Sequence, residues 1–363
     1  MTYVFNYDIF IFGDIMLEFL AENKSSWEKI KESGLPVVVY GMGNGADKVI
    51  DEFNRLSIPV TGVTASDAFV RGQSFRGFKV RRLCEFEGDF IIAVAFASSL
   101  PEVMNHIFSL AKKYRVIVPC VPVFGNNIFN REFVLSNAEK LNAAYSLFDE
   151  ESKRIFAGCV NFMFGGELDT LKSITTGKDE AFNGFFRLGS AESYLDLGAY
   201  RGDTVEEFLR YCGGKYKSIT ALEPDSKTYA KLCKYLSKIP NSEAFCKAVY
   251  SENGAVEFSG KAGRQSAISS GGKEIEAVTV DSLLKSKEVT YIKMDVEGAE
   301  SAALKGAEKT LKIQKPKLNI ALYHRSEDIF ALPLQIAAIN PDYEFHIRRH
   351  PYIPCWDMNL YCV

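Results

Sequence analysis

Two separate stretches of the chain repeat one pattern: an apolar strand, a glycine-containing turn, then a helix with one apolar face. The first stretch opens at 36–40, where Val37, Val38 and Val39 form the continuous β-branched run of a strand buried on both faces. Apolar residues then fall at Ala46, Val49, Ile50 and Phe53, which share one helical face. Further strands are expected over 58–63, 90–96 and 114–118, and Pro101 opens a helix with Met104, Ile107, Phe108 and Ala111 on one side. Over 126–184 the spacing turns helical, with breaks at Gly165, Gly166 and Gly177. The second stretch supplies strands at 193–197, 218–223, 243–249, 289–294 and 317–323. Between them lie helical faces built from Val205, Phe208, Leu209 and Cys212, then from Tyr229, Leu232, Cys233 and Leu236. The strands expected at 343–347 and 359–363 are close in sequence and suit an antiparallel edge on an otherwise parallel sheet.

The pattern predicts an α/β protein in four segments: an N-terminal helical segment over 1–33, a Rossmann-like, nucleotide-binding-like domain over 34–125, a helical linker over 126–184, and a second α/β domain over 185–363. A length of 363 residues exceeds one comfortable core and agrees with two domains. With 47% hydrophobic and 25% charged residues, the composition is that of a soluble globular protein. The formal charge of -3 is dispersed with no Lys/Arg block, so nucleic acid is not an expected partner. Residues 1–20 are apolar but interrupted by Asp8, Asp14 and Glu18, so neither a signal peptide nor a membrane span is expected there. Eight cysteines show no C-x-x-C pair and no His at ligand spacing, which fits free thiols in a cytoplasmic setting and disfavours structural zinc. A homodimer is the expected assembly if the chain associates.

Candidate chemistry gathers where strands end. After the first strand of the second domain, Asp196, Gly198, Tyr200, Gly202, Asp203 and Thr204 make a glycine loop that opens a helix. Such a loop lets backbone approach a ligand and offers unpaired N–H groups. Asp203 reads as the helix N-cap, with Glu206 completing a capping box. Glu223 ends the next strand, the position from which an acid reaches two ribose hydroxyls, and Pro224 follows it. The fourth strand stops on Asp295, Glu297 and Gly298, at an edge where ligands of open parallel sheets collect. His324 follows the fifth strand, and its ordinary pKa suits proton transfer near neutrality. A polar loop around Arg264, Gln265, Ser266 and Ser269 reads as a hairpin tip or a substrate contact.

The glycine loop has the form D-x-G-x-x-x-G-D rather than G-x-G-x-x-G, and it resembles the S-adenosylmethionine loop of Rossmann-like methyltransferases. The segments LDLGAYRGDT, ALEPD, TVDSLL, YIKMDVEGAE and LYHRSEDIF, in that order over about half the chain, resemble FkbM-type methyltransferases. That resemblance implies a seven-stranded, mostly parallel methyltransferase sheet and S-adenosylmethionine-dependent O-methylation of a sugar, nucleotide-sugar or related hydroxyl. It further implies that Asp196 and the backbone around Gly198 and Tyr200 hold the cofactor's amino-acid end, with Ala199, Gly202, Asp203 and Thr204 also in the cofactor site, that Glu223 beside Pro224 holds its ribose, and that the loop at Ala248 and Val249 lies near adenine. The expected substrate is a small molecule or carbohydrate. Asp295, Glu297 and His324 are the candidate catalytic residues, with Asp295 also bordering the cofactor. Some related methyltransferases place a divalent ion with such acids, and Mg2+ would suit hard oxygen ligands; no complete ligand set is legible, so no metal is assigned.

Gly41, Gly43 and Ala46 satisfy the dinucleotide fingerprint, and with Asn44 and Gly45 they are candidate nucleotide contacts of the first domain. This leaves two rivals: an NAD- or nucleotide-sugar-binding oxidoreductase or epimerase, which lacks a nearby Tyr-x-x-x-Lys relay, and a non-catalytic nucleotide-binding scaffold.

Overall fold

The computed structural model describes residues 11–12, 15–259, 267–268 and 272–363. The loop around Arg264, Gln265, Ser266 and Ser269 lies outside the described residues, as do most of residues 1–14. The fold is mixed α/β, and it divides into two compact units. The first takes the chain up to Tyr145 together with Glu150–Thr175 and Arg349–Asp357, and the second takes Ser146–Asp149, Thr176–Arg348 and Met358–Val363.

In the first unit, α1 (Ser26–Ser33) begins in a complete capping box between Ser25 and Glu28. It precedes β1 (Val37–Tyr40), α2 (Asn44–Arg55), β2 (Val60–Thr64), β3 (Ser74–Phe75), β4 (Phe78–Arg81), β5 (Ile91–Val94), α3 (Pro101–Leu110) and β6 (Arg115–Ile117). These strands form one sheet in the order β3-β4-β2-β1-β5-β6, parallel except at β3. Val37, Val39, Val49, Phe53, Ile91 and Ile117 form its core. The hairpin β3–β4 is absent from the sequence expectation because β4 alternates apolar residues with the exposed Lys79 and half-buried Arg81 and carries no continuous apolar run. Helices α4 (Arg131–Ser136), α5 (Ala138–Ser146), α6 (Glu150–Gly165) and α7 (Leu168–Ser173) fall over the stretch of helical spacing.

The second unit runs from α8 (Lys178–Asn183) through β7 (Ser193–Leu197), α9 (Asp203–Tyr211), β8 (Ser218–Leu222), α10 (Ser226–Leu236), β9 (Ser242–Phe245) and β10 (Ala248–Val249). It continues with β11 (Gly254–Ser259), β12 (Ala267–Ile268), β13 (Lys273–Val278), α11 (Val280–Leu284), β14 (Tyr291–Met294), α12 (Glu300–Lys305), α13 (Glu308–Gln314), β15 (Lys317–Ala321), α14 (Asp328–Ile339), β16 (Phe345–Arg349) and β17 (Met358–Cys362). The main sheet has seven strands in the order β9-β8-β7-β14-β15-β17-β16. Strands β9, β8, β7, β14 and β15 pair in parallel, and β17 runs antiparallel to β15. The reversed strand therefore lies one place in from the edge, with β16 outside it. Tyr194, Phe208, Ile219, Leu232 and Tyr291 pack its core.

The single strand expected over 243–249 is two. It breaks at Cys246, which is exposed, and at Lys247, whose ammonium pairs with Glu276. β10 beyond the break joins a separate small sheet, β10-β13-β11-β12. No helix among the described residues is long and apolar enough to cross a membrane.

Candidate active site

The central strands β7, β14 and β15 each carry a polar residue within their apolar run, and strand register aligns these residues: Lys293 pairs with Asp196 on one side and Asn319 on the other. All three are buried. A polar row through a sheet core costs several kcal/mol unless it is paired, so its presence at the centre of the sheet marks a site rather than packing. Thr204 donates its hydroxyl to Asp196 Oδ2, while Asp196 Oδ1 is buried with no hydrogen-bond partner. Burial pushes the Asp196 carboxyl up to about 7, against the opposite pull of Thr204 and Lys293.

The raised value gives stability a definite pH dependence. The native state holds the Asp196 proton more tightly than the unfolded chain, whose carboxyl titrates near 3.8, so this residue's contribution is lost as pH rises from about 4 to about 7. At roughly 1.4 kcal/mol per unit, the loss in the ligand-free protein is on the order of a few kcal/mol. Urea unfolding across that range should show a smaller decline for Asp196→Asn than for the wild type, and parallel curves would contradict the assignment.

The loop after β7 is shaped by backbone. Gly198 has φ 85, and a Cβ there would meet the Asp295 carbonyl oxygen at 1.9 Å. The N–H groups of Gly198 and Ala199 both donate to the Leu222 carbonyl at the end of β8. Tyr200 is itself in the left-handed region at φ 45, and its N–H donates to the Glu223 carboxylate. Glu223 also accepts from the Asp225 N–H at 2.8 Å. Burial pushes its carboxyl up to about 7. The capping box expected at Asp203 and Glu206 does not form: Gly202, at φ 96, is the N-cap and Asp203 is the first helical residue. The turn requires a left-handed residue at 202, which glycine adopts without strain, so the cap falls one position earlier than expected. The Asp203 carboxyl is raised by the protein atoms around it and by Asp295 nearby. Asp196, Gly198, Ala199, Tyr200, Gly202, Asp203, Thr204 and Glu223 thus share one strand-end cradle, with Pro224 next to Glu223. Ala248 and Val249 are buried in the small sheet, paired with Ala277 and Val278.

The end of β14 carries the second cluster. Asp295, Glu297 and His324 each present a ligand-type atom within 4.8 Å of the others. His324 Nε2 lies 3.4 Å from Asp295 Oδ1 and 3.3 Å from Glu297 Oε2, and Nδ1 lies 2.8 Å from Glu300 Oε1. Tyr323 donates its hydroxyl to Asp295 Oδ2 at 3.0 Å, and Lys293 Nζ lies 3.6 Å from the same oxygen. Burial alone would lower His324, but Glu300, Glu297 and Asp295 overcome it and hold the imidazole well above its ordinary pKa. Burial raises Glu297, with His324 opposing. His324 and Glu300 are each 1% exposed, whereas the side chains of Asp295 and Glu297 are 28% exposed and face what can enter. The sequence pattern marks Glu300 as a helix start and gives no sign of its partner. Lys293 and Asn319 also escape it, and their signal is a polar residue inside an apolar strand.

In the first unit, Cβ atoms at Gly41 and Gly45 would meet the Ala95 carbonyl oxygen at 2.9 and 2.8 Å, and Gly43 caps the helix that begins at Asn44. Two of these glycines are required by the approach of protein backbone.

A polar row, a glycine cradle at the end of β7 and an acid at the end of β8 thus meet at one strand-end edge of a Rossmann-like sheet. Residues 196–347, within the second unit, match the family model described as Methyltransferase FkbM domain. The crystal structure of methyltransferase FkbM from Methylobacillus flagellatus KT is similar over 92% of this chain and 92% of that one, with 19% identity and a TM-score of 0.70, a likeness of fold. Fibrillarin from Aeropyrum pernix, crystallised with S-adenosyl-L-methionine, covers 51% of this chain and 73% of its own at 13% identity and a TM-score of 0.34. No curated protein matches the chain.

Proposed function

We propose that the protein transfers a methyl group from S-adenosylmethionine to a hydroxyl oxygen of a small-molecule acceptor of the sugar, nucleotide-sugar or natural-product class. The observation that carries this reading is the contact of the two strand-end loops through Gly198 and Asp295, which sets the cradle beside the acidic cluster. The residues fit the cofactor: Asp196 Oδ1 is buried with no hydrogen bond at the end of β7, and Glu223 stands at the ribose position. When bound, S-adenosylmethionine supplies an electrophilic methyl group on sulfonium. β7 carries a single carboxylate, Asp196, flanked by the buried Leu195 and Leu197, so the rest of recognition falls to the loop and to Glu223.

This chain's own residues divide the remaining work. Asp295 and Glu297, the two carboxylates that solvent reaches, are the groups that can draw the proton from an acceptor hydroxyl. His324 is a positioning residue, with both ring nitrogens turned to carboxylates. Lys293 and the Tyr323 hydroxyl fix the far oxygen of Asp295. The oxidoreductase reading centred on Gly41, Gly43, Asn44 and Gly45 has less support, because β2 ends at Thr64 with no acid at the position that would reach a ribose.

Thermal-shift measurements with S-adenosylmethionine, NAD and a UDP-sugar test the reading. Stabilisation by S-adenosylmethionine alone is the expected result, about 2.7 kcal/mol at a hundredfold excess over Kd; stabilisation by NAD alone would favour the oxidoreductase. Glu223→Ala should weaken S-adenosylmethionine binding at least tenfold by calorimetry, and unchanged affinity would remove Glu223 from the site.

A further inference from the structure

We propose that Asp295, Glu297 and His324 bind a divalent cation of the Mg2+ or Mn2+ type, with Glu300 as the carboxylate that orients the histidine. The three donor atoms lie within 4.8 Å of one another, so small side-chain adjustments bring them to metal bonds of about 2.0–2.2 Å. His324 is buried and turns Nε2 toward both acids, at 3.3 and 3.4 Å, and a cation bound there takes the place of the proton on that nitrogen, which leaves to solvent. Its other nitrogen meets Glu300 at 2.8 Å, an arrangement in which a carboxylate fixes the ring orientation of a metal-binding histidine.

Glu300 is tied to the same loop that carries the two acids. Its Oε1 accepts from the N–H groups of Val296, at 2.9 Å, and Gly298, at 3.4 Å. Glu297 itself sits at φ 54, a left-handed conformation that a non-glycine residue adopts at a cost, and its carboxylate is thereby brought to the histidine. Carboxylates outnumber the nearby ammonium of Lys293, so the cluster favours added positive charge. Two carboxylates and one imidazole, with no thiolate, suit a hard cation that completes its shell with water or an acceptor oxygen. The ion's part in catalysis rests on the methyl-transfer reading, where it would polarise the acceptor hydroxyl and leave the second carboxylate oxygen of Glu297 to take its proton; its binding does not.

The test uses the full chain, stripped with chelator and titrated with Mn2+ alone, with free Mn2+ read by electron paramagnetic resonance. One Mn2+ per chain is expected, weakened at least tenfold in Asp295→Asn and in Glu297→Gln and about 10–100-fold in Glu300→Gln. Both acids are partly exposed and the replacements nearly isosteric, and circular dichroism checks that each variant is folded. Binding well below one per chain, or equal affinity in folded variants, overturns the proposal. Calorimetry with S-adenosylmethionine separates the two readings: Mn2+ bound without cofactor affinity overturns methyl transfer, and cofactor bound without Mn2+ overturns the cation site.

Discussion

Gly198→Ala is expected to destabilise the protein by more than about 3 kcal/mol and to remove measurable S-adenosylmethionine binding. The left-handed backbone, at φ 85, costs an L-residue roughly 1–2 kcal/mol. Sterics add more, since the new methyl would stand 1.9 Å from the Asp295 carbonyl oxygen and 2.9 Å from its carbon. Neither loop is free to retreat. Gly198 and Ala199 donate to Leu222, and the Asp295 N–H donates to the Leu197 carbonyl at 2.9 Å. Any shift must therefore break hydrogen bonds that join the ends of β7, β8 and β14, at about 1 kcal/mol or more each. Gly213→Ala is the control: φ is 62 there, but no atom lies within 4 Å of the added Cβ, so only the backbone term of about 1–2 kcal/mol applies. Urea unfolding of both variants, with calorimetry of cofactor binding, decides the matter. Equal stability of the two would show that the loops separate easily and that the cradle does not depend on their contact.

The same glycine explains why the second unit is legible in the sequence. A strand ending on Asp196 and Gly198 and another ending on Asp295 and Gly298 announce their geometry locally, through residue types that tolerate left-handed backbone or accept N–H groups. Contacts made across strands leave no such local mark. Lys293 looks like a stray charge in β14 until register sets it between Asp196 and Asn319. Glu300 looks like an ordinary first-turn acid of α12, a favourable place for a negative charge, and only tertiary folding turns it inward to His324. The cap expected at Asp203 misses by one residue because side-chain capping and left-handed glycine compete at the same boundary, and backbone geometry prevails. In the first unit the glycines divide: Gly41, a member of the dinucleotide-like spacing, and the neighbouring Gly45 each face the Ala95 carbonyl, whereas Gly43 has no atom within 4 Å of an added Cβ.

His324→Leu is expected to lower stability by about 3 kcal/mol or more and to abolish methyl transfer. The substitution roughly preserves ring volume but leaves Glu300, 1% exposed, without its cationic partner. Breaking a buried pair on one side costs about 3–5 kcal/mol, because the remaining charge is stranded. The N–H groups of Val296 and Gly298 still reach Glu300 Oε1, which places the cost toward the lower end. Adding Glu300→Gln to His324→Leu removes the stranded charge, so the double variant should recover much of the lost stability, a coupling that a double-mutant cycle in urea measures directly. Methyl transfer should not recover with it, since Asp295 and Glu297 would still lack the imidazole that they face at 3.4 and 3.3 Å. Release of S-adenosylhomocysteine with an acceptor that the wild type methylates provides that readout. A double variant that regains both stability and transfer would reduce His324 to a structural partner of Glu300 and leave the proton to the carboxylates alone.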